Sequence, residues 1–180
     1  MFAEHQPRIA TWASQHPANF ERVLRFAILS ANKALWTMPA VLRAPPTAHT
    51  LKQQQGLGFI TRNKYALQVR LADAAARSEG DALLMLAHFP ALGLVKGGFA
   101  LQMLHGQAGC LDRHNLRHLG LRPEYWTHGV KRNNAEGANR RAARYLDQCA
   151  RMGGPARLWD GWCAEMAARY PDRYASTEAA

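Results

Sequence analysis

Three cysteines, Cys110, Cys149 and Cys163, are all that the 180 residues hold, and no two of them form a CxxC pair. An odd, scattered set of thiols excludes a disulfide framework and points to a reducing compartment. It also excludes an iron–sulfur cluster and a cysteine-rich zinc site. Long apolar runs are absent as well. No stretch approaches the ~18 residues that a membrane-spanning helix needs, so no membrane role is expected. The first residues, MFAEHQPRIATW, lack a basic segment followed by an apolar one. No secretory signal is read there, and a cytoplasmic protein of a bacterial or phage-infected cell is the expectation. Alternating strand patterns, internal repeats and low-complexity tracts are likewise missing. Acidic residues are scarce: 13 Asp plus Glu face 23 Lys plus Arg, a formal charge of +10. A surplus of that size in a small chain favours a polyanionic partner, because contacts to phosphates release condensed counterions.

What is present is helical periodicity. Hydrophobic residues make up 48%, enough for one globular domain with a core, so an all-α fold over 1–180 is expected. Leu24, Ile28, Ala31 and Leu35 mark one face of a helix from Phe20 to Trp36. Prolines 39, 45 and 46 end it. Gln55-Gly-Leu-Gly-Phe59 reads as a turn into a helix from Asn63 to Arg77, which Ser78-Glu-Gly80 breaks. Asp81 reads as the N-cap of a short helix ending near Phe89. Pro90-Ala-Leu-Gly-Leu-Val-Lys96 is a tight turn into a helix with Val95, Phe99 and Met103 on one face, stopping near Gly106. Asp112 opens a further helix from Arg113 to about Leu119. A polar, basic stretch, 131–137, precedes two amphipathic segments, Asn139 to Arg151 and Pro155 to Tyr170.

The turn at Phe89–Gly93 draws attention because a small hairpin can aim backbone N–H groups at a DNA phosphate. An ordinary helix–helix connection would read the same way. Sixteen residues after Lys96 stands Asp112, within Cys110-Leu-Asp-Arg-His-Asn115. A carboxylate at a helix start serves as an N-cap. It can also stabilise a developing positive charge or activate water. One residue can do both. His114 and His118, four apart, share a helical face, but no third ligand lies nearby, so neither a metal nor another cofactor is expected. Gly97 and Gly98 inside a helix imply close backbone approach, to DNA or, better, to a neighbouring helix. Trp159 and Trp162 read as core. Arg140, Arg141 and Arg144 suit either a phosphate backbone or a solvated face.

Together these segments resemble the helix-hairpin-helix DNA glycosylase superfamily, whose familiar members are endonuclease-III-like. Leu29-Ser-Ala-Asn32 is similar to the family's early L-S-A-Q segment. Gly56-Leu-Gly-Phe59 with Lys64 is similar to its glycine loop and following helix. Pro90-Ala-Leu-Gly93 resembles its hairpin, and Leu111-Asp-Arg-His114 its V-D-x-H motif. The likeness covers about residues 18–120. It implies a helical barrel over 20–109 and a second helical lobe from 1–19 with 110–175, with a cleft holding Lys96 and Asp112. It implies double-stranded DNA as partner and a flipped-out base as target. Asp112 and Lys96 become the catalytic candidates; Asn32, Leu92, Gly93, Lys96, Gly97 and His114 become the DNA-contact candidates. The fifth residue after Pro90 is Val95, and Lys96 follows one later. That single-residue shift turns a side chain by ~100°, so a hydrolase without lyase chemistry is implied, acting in base excision. Transfer of a group onto a thymine during phage DNA hypermodification, and DNA binding without catalysis, are the alternatives.

Overall fold

A computed structural model describes residues 1–30, 35–118, 120, 122, 126 and 133–174. Every regular element among them is helical: α1 Phe2–Gln15, α2 Pro17–Leu29, α3 Met38–Arg43, α4 Leu51–Arg77, α5 Glu79–Ala87, α6 Gly93–His105, α7 Arg113–His118, α8 Ala135–Arg151, α9 Gly154–Arg169 and α10 Pro171–Tyr174. The all-α expectation is met. Among the described residues no helix is long and apolar enough to cross a membrane.

Local chemistry sets the boundaries. His16 is extended, and its ring nitrogen accepts the N–H of Ala18; Pro17 supplies a preset φ at the first helical position, so α1 ends and α2 begins in one residue. The helix expected over 20–36 is α2, and it stops at Leu29. Thr50 and Gln53 form a reciprocal capping box that starts α4. The helix then runs 27 residues without interruption, so the turn expected at Gln55–Phe59 is helix. Gly56 is there for packing: a Cβ at that position would overlap the carbonyl oxygen of Pro90 and press on Ala91 and Ile28. Ser78, rather than Asp81, caps α5; its hydroxyl accepts the Asp81 N–H at 3.0 Å. Asn134 caps α8 through the Gly137 N–H at 2.8 Å, so the end of the basic stretch is already helical.

One hydrophobic cluster runs from Ala13 in α1 to Leu158 in α9. Leu24 and Ile28 of α2, Ile60 and Leu71 of α4, Leu83 and Leu86 of α5, and Leu101 of α6 are fully buried. Each contributes ~1.5–3 kcal/mol by leaving water. Helix α8 turns Ala138, Ala142, Tyr145 and Cys149 inward. Helix α1 lies against α2, α6 and α9. The Phe2 N–H donates to Asp160 at 2.8 Å, and the Phe2 ring meets Trp159 edge-on. Trp159 in turn packs on Phe99 and the core, as its reading as a core residue anticipated.

Candidate nucleic-acid interface and catalytic carboxylate

The connection between α5 and α6 is the hairpin. The Phe89 N–H donates to Leu86 O, and the Leu92 N–H to Phe89 O at 3.2 Å. Two residues take left-handed backbone angles, Ala91 at φ +70° and Gly93 at φ +68°. Glycine carries that conformation freely; for Ala91 it costs ~1 kcal/mol or more. Contact with α4 holds it there, since Ala91 is buried and lies beneath Gly56. The Phe59 and Phe89 rings, 5.3 Å apart, pack beside the same junction. Gly93 differs, because nothing lies within 4 Å of where its Cβ would stand. The start of α6 has no side-chain cap, so the first amides of α6 follow a turn that is open at Gly93.

The remaining hairpin candidates divide by environment. Leu92 and Gly97 are buried. Leu92 packs in the core, and a Cβ on Gly97 would stand 3.2 Å from Leu86. Both therefore serve the helix–helix contact, and their side-chain positions do not face a large ligand. Lys96 points back into the fold and donates to the carbonyl oxygen of Ile28, at the C-terminal end of α2, at 2.8 Å. That end of a helix attracts cations. Burial, with the positive charge of Lys52, holds the Lys96 ammonium below the ordinary lysine range. Asn32 lies outside the described residues.

Asp112 caps α7 as its sequence position suggests. One carboxylate oxygen accepts the N–H of His114 at 3.0 Å and of Asn115 at 2.9 Å. Its carbonyl accepts from Leu116. Burial raises its pKa above 3.8; the two backbone donors and the His114 charge offset part of that, and Glu165 adds to the rise. His114 sits 3.7 Å from Glu165. The structure thus groups Asp112, His114 and Glu165. Lys96 instead bonds Ile28 O, and among the described residues no hydrogen bond or ion pair joins it to Asp112.

Two residues missed by the sequence reading support this group. The Tyr145 hydroxyl donates to Gly109 O at 2.7 Å and accepts the Leu111 N–H at 3.0 Å, fixing the segment that leads into Asp112. Its signal was an aromatic hydroxyl on the apolar stripe of α8, which must find polar partners when buried. Glu165, one turn before the end of α9, had none. Beside the group lies a cavity of about 250 Å³, with Asn115, Arg157, Leu158, Gly161 and Glu165 in its wall. Among the described residues no three His, Cys, Asp or Glu side chains cluster as a metal site would require.

No protein-family model, curated protein or solved structure matches the chain. The resemblance to helix-hairpin-helix glycosylases therefore rests on the four short segments. One of these, Gly56–Phe59, is helix rather than loop; another, Leu29–Asn32, is only partly described.

Proposed function

We propose that the chain is a helix-hairpin-helix DNA-binding protein that excises a flipped-out base with Asp112. The observation that carries the reading is the hairpin's geometry: left-handed turn residues, an uncapped helix start, and open space at Gly93. A phosphate placed there would receive backbone N–H groups at the positive end of a helix dipole. The +10 charge favours such a partner. In the chemical step the bond from the sugar C1′ to the base nitrogen breaks, and a water oxygen then bonds to C1′. The electron pair leaves with the base, which takes up a proton. An ionised Asp112 stabilises the cationic sugar between these events and receives the proton of the attacking water. The Lys96 amine, bonded to Ile28 O, takes no part in a Schiff base, so borohydride traps no protein–DNA adduct.

The rival reading is DNA binding without catalysis. It is favoured by one observation, that an Asp112 oxygen is already shared by two backbone N–H groups. The test incubates parent and Asp112→Asn with DNA carrying damaged or modified bases, then analyses free bases and nucleosides by mass spectrometry. Asparagine retains a capping oxygen. Base release that falls by ~100-fold or more in a folded variant fits the proposal. No product from either protein favours the binding module. A heavier nucleoside, formed only with a small-molecule donor, would assign the site to base hypermodification.

A further inference from the structure

We propose that the outward face of α8 is a second nucleic-acid contact, a groove that takes the phosphate backbone of a strand. The inference rests on the DNA-binding reading but uses a different surface from the hairpin. Arg144, Asp147, Gln148 and Arg151 recur at i, i+3, i+4 and i+7, which places them on one helical face. Arg144 and Arg151 are thus separated by ~10 Å along the axis. With Arg122 and Trp126 they line a groove of about 470 Å³. Arg151 also borders the 250 Å³ cavity whose wall includes Arg157 and Glu165. The two depressions therefore adjoin at Arg151.

The charges in this tract do not cancel. Asp147 is taken by Arg151 at 3.0 Å, and Glu165 faces His114. Four other helical arginines have an acid one turn away as partner: Arg8 with Glu4, Arg25 with Glu21, Arg77 with Asp81, Arg140 with Glu136. Arg144 has Arg140 and Gln148 at those positions, and Arg157 has Gly153 and Gly161. Among the described residues no carboxylate lies within ion-pair distance of Arg122, Arg144 or Arg157. Gly161 leaves the cavity wall empty, with nothing within 4 Å of where its Cβ would stand.

The chemistry selects the ligand. Guanidinium forks pair with phosphate oxygens in a bidentate manner. Several uncompensated forks spread over adjoining grooves suit a chain of phosphates better than a single one. Trp126 is only 4% exposed, so it offers no ring face for a base to stack on. The groove therefore binds backbone and is indifferent to sequence.

The test measures anisotropy of a short fluorescein-labelled duplex over a salt series. The proteins are the parent, Arg122→Ala/Arg144→Ala, Gly93→Asp, and a control, Arg62→Ala/Arg70→Ala, which removes the same charge from exposed positions on α4. Circular dichroism checks that each is folded. The plot of log affinity against log salt should become shallower by about 2 in the groove variant, and by clearly less in the control. An unchanged slope in the groove variant overturns the proposal. So does an equal change in the control, since charge alone would then explain it. If the groove variant loses slope while Gly93→Asp binds like the parent, the groove stands and the hairpin reading falls. If the parent fails to bind duplex, both fall.

Discussion

Two carboxylates, Asp112 and Glu21, have pKa values shifted in opposite directions, and the difference is measurable. Asp112 is desolvated and has no cationic partner strong enough to restore its ordinary pKa, which lies above 3.8 in the fold. The folded state then holds the proton more tightly than the unfolded chain. The Asp112 contribution is most favourable when the group is protonated, and it declines as pH rises from ~4 through the folded value. Asp112→Asn should flatten that part of a plot of stability against pH. In catalysis the ionised form is required, so base release should fall on acidification at a higher pH than an ordinary carboxylate would give. Glu165→Gln removes a negative neighbour and should move that limb to lower pH. An unmoved limb would separate Glu165 from the site. Glu21 is also buried, which by itself would raise its pKa. Hydrogen bonds from Thr61 at 2.6 Å and Lys64 at 3.0 Å, with the charges of Lys64 and Arg25, outweigh this and lower it. Its stabilisation is present above 4.5, the ordinary value, and is lost as pH falls through the folded one. Lys64→Met should cost ~1–3 kcal/mol at neutral pH in denaturant titrations and weaken the acid dependence.

Among the helices, the crossing of α4 over the hairpin controls whether the turn at Ala91 and Gly93 exists. Gly56→Ala gains up to ~1 kcal/mol of helix propensity. Its methyl would meet a backbone oxygen, Pro90 O, which cannot swing aside, and overpacking of that kind costs ~1–3 kcal/mol. The variant should be less stable and should bind DNA more weakly, because the turn must shift. Ala91→Gly relieves ~1 kcal/mol of left-handed strain but loses a buried methyl worth ~0.8 kcal/mol and frees the unfolded chain. It should leave the midpoint of unfolding nearly unchanged. These elements also show what the sequence discloses. The hairpin, the stop at Gly106 and the Asp112 cap were legible, because turn glycines and capping side chains act on their own neighbours. The long α4 was not. Gly56 and Gly58 have the composition of a turn, whereas the need for Gly56 comes from Pro90, far along the chain. The Thr50–Gln53 capping box was present in the sequence and went unread. The bond from Lys96 to Ile28 joins residues without any shared periodicity, so the expectation that Lys96 faces Asp112 had nothing local to correct it.

For the molecule as a whole, an excess of ten positive charges on a mostly helical chain has to be placed somewhere. The described residues offer two surfaces that would use it, the open start of α6 and the arginine face of α8. Both depend on one continuous core, since α8 rests on α6 where Gly98 meets Gly109 O and the Tyr145 hydroxyl. The claim that depends most on geometry is that the hairpin amides touch DNA. It is tested most directly by recording amide NMR spectra of the ¹⁵N-labelled protein during titration with a short duplex. The account predicts that the amides of Gly93, Leu94 and Val95 shift early and together, and that the shifts reverse when salt is added. Shifts confined to other helices, with those three amides unmoved at saturation, would contradict it.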